Sequence, residues 1–174
     1  PLLDGGARAY FEALSALEPP TSSPQLVVVR RGTIEVGESR YELHPSDGVR
    51  VDVEVAFEDE RLARVASWDG DPWDFRDRIA PARTFAIERD LDELLARGLA
   101  RRVAPESVVV VTKSAIYSAG RPFEPDEPAR HKLLDLVGDL YAYGGPPRGH
   151  VRAMRPGHAV THEAVRRALE EGLL

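Results

Sequence analysis

The sequence contains no cysteine. That excludes disulfides, thiolate metal sites and a cysteine nucleophile, and it fits a reducing compartment, expected here to be the cytoplasm. Long apolar runs are missing too. The longest, Leu26 to Val29 and Val108 to Val111, are strand-sized, far short of the roughly 20 residues a bilayer-spanning helix needs. Basic charge is not in excess: 23 Lys and Arg against 29 Asp and Glu leave a net charge of −6. With no basic stripe to meet a phosphate backbone, no nucleic-acid partner is expected. Methionine is nearly absent. Met154 is the only one, and the chain opens on Pro1, so either the sequence begins inside a longer protein or its initiator was removed by processing.

What remains is an ordinary globular balance, 43% hydrophobic and 30% charged over 174 residues, enough for one good core or two small ones. Tyr10, Phe11, Leu14 and Leu17 fall at helical spacing and predict a short amphipathic helix over 7–17. The proline- and serine-rich stretch 18–24 reads as a linker, which divides the chain into 1–24 and 25–174. Strands are expected over 25–30, 33–36 and 40–43, with a turn at 45–48. Val49, Val51, Val53, Val55 and Phe57 then alternate with Arg50, Asp52, Glu54 and Ala56, the period of a strand with one buried face. Residues 58–83 carry no clear pattern beyond a turn at 68–70. A short helix is expected over 90–97, and the valines of 107–112 predict a strand buried on both faces. Helices over about 127–143 and 160–171 close the chain. Strands followed by helices indicate an α+β fold, a two-layer sandwich of a mainly antiparallel sheet on helices with a small β-α-β-type insert at about 86–112.

The first of the closing helices carries the chemistry. His131 and Asp135 are four residues apart, so their side chains stack on one helical face, continued by the small Gly138 and Ala142. Leu134, Val137 and Tyr141 lie on another face, suited to the core. An imidazole and a carboxylate so spaced can hold one zinc ion; the alternative is an exposed ion pair of small effect. His158, directly after Gly157 at a helix start, is placed to act as an acid or base in a cleft, or else is a surface histidine at a turn.

Taken together and in order, these segments resemble a known family. Ala82-Arg-Thr-Phe85 with the 88–99 run, Phe123-Glu124, Arg130-His-Lys-Leu-Leu-Asp-Leu-Val-Gly-Asp-Leu140, Gly157-His-Ala159 and the opening Pro1-Leu-Leu-Asp-Gly-Gly6 are similar to motifs of the UDP-3-O-acyl-N-acetylglucosamine deacetylases of lipid A biosynthesis. The resemblance implies a zinc-dependent amidohydrolase. In it, His131 and Asp135 are metal ligands, Asp139 orients His158 as general acid, and Thr84 binds the oxygen of the tetrahedral intermediate. Phe85 and Ile87 begin an apolar passage for the acyl chain, walled by residues such as Leu91, Leu94 and Leu95. Lys132 and Arg155 face the sugar and diphosphate. It also implies that 1–24 is the tail and linker of a first domain and 25–174 the C-terminal deacetylase domain.

The departures matter equally. The family's motif for the third zinc-binding histidine and the water-activating glutamate has no counterpart, since His44, His150 and His162 lie elsewhere and none precedes a fitting Glu. The chain alone is therefore expected to be inactive without a first domain in the same full-length protein or in a partner. The alternative is a diverged, non-catalytic module that binds nucleotide-sugar or acyl ligands.

Overall fold

The structure, a computed structural model, describes residues 5–17, 25–88 and 104–174. Alternation decides its main sheet. Strands β1 (Gly32–Val36), β2 (Ser39–His44), β3 (Val49–Glu54) and β4 (Val65–Trp68) follow one another in the chain. Strand β8 (Gly149–Met154), from near the C-terminus, inserts between β2 and β3 to give the order β1-β2-β8-β3-β4. It runs antiparallel to β2 and parallel to β3, the one parallel pairing of this sheet. The register sets Tyr41 against Ala153 and Val53, and Leu43 against Val151 and Val51, so these side chains form rows on a single buried face. Arg40, Glu42, Arg50, Asp52 and Arg152 alternate with them onto the wet face, where they pair with one another. Gly149 makes the insertion of β8 possible: its φ is 142°, and an added Cβ would meet Val28 Cγ2 at 2.5 Å.

Two helices cover the apolar face. Helix α3 (Glu127–Tyr141) contributes Leu133, Leu136, Val137 and Leu140, and α4 (His158–Glu170) contributes Ala164, Val165 and Ala168. α3 ends where Gly144 and Gly145, both at positive φ, lead into Pro146. The result is the two-layer α+β sandwich that the alternating and helical patterns predict. A second, smaller sheet of β5 (Thr84–Ile87), β6 (Val108–Val111) and β7 (Ile116–Ser118) packs beside it. β5 and β6 are parallel, which demands a crossover between them, in keeping with a β-α-β-type insert. The helix expected over 90–97 lies outside the described residues.

Several expectations are corrected. Residues 25–30 form no regular strand; Val27 makes an isolated bridge with Arg148, because Val28 and Val29 divide their backbone bonds between Arg148 and Leu173. β6 is buried on one face only: Val109 and Val111 are fully enclosed while Val108 and Val110 are half-exposed, since the small sheet has the core on a single side. Tyr141, expected in the core, is 64% exposed, on the outward side of the last turn of α3, where Leu140 takes the inward position at 3%. The patternless stretch 58–83 holds β4, then α2 (Pro72–Asp74) running directly into a π-helical turn, Phe75–Ile79. Helix α1 (Arg8–Ser15) buries none of its residues fully and leans on that turn through Phe11 and Phe75, ring centroids 6.0 Å apart.

Candidate active site

Helix α3 carries Glu127, His131, Asp135 and Asp139 at four-residue intervals, so they form one row that drifts slowly around its surface. Each has a partner. The His131 ring is mostly buried, and its Nδ1 lies 2.9 Å from the Ala82 carbonyl oxygen. A carbonyl only accepts, so Nδ1 carries a proton, and the neutral ring has its free lone pair on Nε2. That Nε2 is 3.6 Å from Asp135 Oδ1. Two zinc bonds of about 2.0–2.2 Å at a tetrahedral angle place their donors about 3.4 Å apart, so the pair fits one ion. The other Asp135 oxygen, Oδ2, accepts from Lys132 Nζ at 2.8 Å. Among the described residues no group of three or more His, Asp or Glu side chains converges as a metal cage.

One turn along, Asp139 is largely buried and holds His158 Nδ1 with both carboxylate oxygens, at 2.9 and 3.0 Å. His158 is the first residue of α4, and extended Gly157 caps that helix by accepting the Thr161 N–H at 2.8 Å. The imidazole thus stands at the mouth of the row, 66% exposed. Behind Asp139, Tyr41 shares a 2.8 Å hydrogen bond with Thr161 Oγ1. Burial pushes the Tyr41 phenol above its ordinary pKa, and the Asp139 charge adds to this, against the lowering effect of its bonds to Thr161 and Gly157. Tyr41 is therefore a neutral wall. His162, to which no role was assigned from sequence, is a second imidazole beside Asp139. Its Nε2 is 3.9 Å from Asp139 Oδ1 and its Nδ1 is 3.1 Å from the Tyr143 hydroxyl. The signal was its spacing of four from His158.

The remaining candidates divide. Phe85 meets the His131 ring edge-on at 6.4 Å and Phe57 at 5.4 Å. Thr84 is half-buried at the start of β5, its N–H bonded to Gly5 O at 3.1 Å and its hydroxyl without a partner among the described residues. Ile87 lines a cleft of about 610 Å³ with Phe57, Leu62 and Val111; Leu91, Leu94 and Leu95 lie outside the described residues. Arg155 is not joined to the row on α3. Its backbone takes φ 52°, and its guanidinium pairs with Glu38 at 2.7 Å near the β1–β2 turn.

The deepest charges went unassigned by sequence reasoning. Arg83 is 2% exposed and grips Glu127 through Nε at 2.8 Å and Nη2 at 3.0 Å. Arg83 also donates its backbone N–H to Glu127 Oε1 and its other guanidinium hydrogens to Ala119 O and Ser118 Oγ. Arg121 adds a bond to Glu127 at 2.8 Å. Burial alone raises the Glu127 pKa, but the bonds and charge of Arg83, with Arg121, outweigh it and hold it below the ordinary glutamate value.

The sequence that builds this sandwich, with a His–Asp pair along α3 and an Asp–His pair between α3 and α4, is similar to known proteins. The chain belongs to the UDP-3-O-acyl N-acetylglycosamine deacetylase family, whose sequence pattern matches residues 1–170. The UDP-3-O-acyl-N-acetylglucosamine deacetylase of Myxococcus xanthus is 34% identical over 98% of this chain and 56% of its own length. That of Brucella ovis is 33% identical over 98% of this chain and 62% of its own length. The chain thus spans little more than half of the curated relatives it matches.

Proposed function

We propose that this chain carries one half of the site of a zinc-dependent deacetylase that removes acetyl from UDP-3-O-acyl-N-acetylglucosamine in lipid A biosynthesis. The observation that carries the reading is the row on α3: an imidazole nitrogen 3.6 Å from a carboxylate oxygen, one turn from an imidazole held by both oxygens of a second carboxylate. His131 and Asp135 are the residues that would hold zinc. When bound there, zinc supplies Lewis acidity toward water and an amide carbonyl.

The protein's own groups do the rest. Asp139 fixes the His158 ring through Nδ1, so Nε2 is the nitrogen that delivers a proton to the departing amine. The Thr84 hydroxyl donates to the oxyanion that develops on the acetyl carbon. Phe85 and Ile87 start the acyl passage, and the cleft of about 610 Å³ beyond Ile87 gives the chain room. Lys132, tethered at the rim of the row by Asp135, and Arg155 offer cations to the sugar and diphosphate. In this reading residues 25–174 are the C-terminal deacetylase domain and 1–24 the tail and linker of a first domain. That first domain supplies the third ligand and the base from the same full-length protein or from a partner.

The test is a zinc titration of the pure chain, followed by assay on the acylated UDP-sugar. We expect weak binding, lost in His131→Ala and in Asp135→Ala, and no hydrolysis by the chain alone, because a missing general base costs about 10²–10⁴ in rate. Zinc binding indifferent to both substitutions would sink the reading of the ligands; turnover by the isolated chain would sink the half-site.

A further inference from the structure

The Arg83–Glu127 pair is spent on neither the core nor the proposed chemistry, yet it occupies the first position of the functional row. Glu127 is four residues before His131 on α3, and Arg83 directly follows Ala82, whose carbonyl receives His131 Nδ1. The pair therefore joins, one turn away, the same two segments that meet at the histidine. Its bonds act on the 81–83 backbone directly. The Arg83 N–H is held by Glu127 Oε1 at 3.0 Å, and Arg121, itself bonded to Glu127, donates to the Pro81 carbonyl. With its own peptide group held through the Arg83 N–H and the preceding one through the Pro81 carbonyl, the Ala82 carbonyl has little freedom to turn away from the ring.

We propose that Arg83 and Glu127 are positioning residues that aim the Ala82 carbonyl at His131 and so hold the ring as its Nδ1–H tautomer, with Nε2 bare. This deepens the zinc reading and rests on it for its purpose, though not for its structural content. A neutral imidazole has two tautomers, and only the one with an unprotonated Nε2 can bind a metal on the side where Asp135 stands. A bare backbone carbonyl at the end of a mobile loop would select that tautomer weakly. A carbonyl whose own peptide N–H is held by the carboxylate of a buried, bidentate guanidinium–carboxylate pair, with the preceding carbonyl held by Arg121, selects it strongly.

The experiment is nitrogen-15 NMR of the imidazole rings in the metal-free chain, with zinc affinity measured separately by competition against a chromophoric chelator. In the wild type we expect His131 Nδ1 to resonate as an N–H nitrogen and Nε2 as a bare one. In Arg83→Met/Glu127→Leu, which removes both charges together so that neither is left buried alone, the ring should become a mixture of tautomers. Zinc affinity should fall about 10- to 100-fold, the usual scale for loss of a ligand's supporting bond. Glu127→Gln keeps Oε1 as an acceptor and should lie between the two. A merely structural role would lower the melting temperature and leave the tautomer alone. A wild-type ring protonated on Nε2, or a folded variant of either kind with an unchanged tautomer, overturns the proposal. Should the double variant not fold, Glu127→Gln decides in the same way. Expected tautomers without any zinc binding would instead remove the zinc reading and leave the positioning intact.

Discussion

Single side chains here act in partnered rows, and removing one partner has consequences that exposure alone would not suggest. Arg83→Ala leaves the Glu127 carboxylate buried beside Arg121 alone. It should cost about 3–5 kcal/mol in urea unfolding, whereas Arg83→Met/Glu127→Leu should cost clearly less, because no charge is stranded. The pair also sets an acid limit. Glu127 has its folded pKa depressed below 4.5, so its contribution is complete above the unfolded value and fades as pH falls through the lower, folded one. Urea midpoints between pH 7 and 3 should drop more steeply for the wild type than for Glu127→Gln. At the open end of the row the penalty is functional instead. Asp139→Asn should leave stability within about 1 kcal/mol but, in a complete enzyme containing this domain, lower kcat by about 10²–10⁴ through loss of the oriented acid.

Among elements, α3 serves the fold and the site on opposite faces. Its Leu133 and Leu136 are enclosed against the main sheet, 0% and 1% exposed, and their side chains fix how far the Glu127–Asp139 row stands above it. Leu133→Ala should destabilise by about 2–5 kcal/mol and, in a variant that still folds, disturb zinc binding through displacement of the helix. Strand β8 depends on a backbone approach instead. Gly149→Ala places a methyl 2.5 Å from Val28 Cγ2 at a φ of 142°, so a loss of more than about 1 kcal/mol is expected in the same measurement. Tyr141→Ser, on the exposed last turn of α3, should change stability by less than about 0.5 kcal/mol.

For the whole molecule, zinc should act as a linked ligand. If His131 and Asp135 bind it, each tenfold rise in free zinc above the dissociation constant adds about 1.4 kcal/mol to unfolding, visible as a concentration-dependent rise in melting temperature. His131→Ala should remove that dependence. With two protein ligands from this chain the rise should begin only at high zinc, and a partner supplying further ligands should move its onset to much lower concentrations. A melting temperature raised by zinc equally in wild type and His131→Ala would place the ion elsewhere.

The sequence alone determined whatever depends on periodicity and local spacing. The alternating valines of β3, the helix start at Gly157-His158 and the four-residue steps from His131 to Asp139 are short-range features, and backbone geometry turns each directly into local structure. The family likeness was legible for the same reason, because its motifs are contiguous. Tertiary structure decided everything that needs two distant segments. That β8 enters between β2 and β3 depends on Gly149 admitting Val28, 121 positions away along the chain (149 − 28). That β6 is wet on one side depends on which sheet received the core. Arg83 and Glu127 carry no signal of partnership in sequence: a buried charge looks like a surface charge until the fold supplies its counter-ion, and only then do the Ala82 carbonyl, the His131 ring and the ion pair prove to share one corner of the molecule.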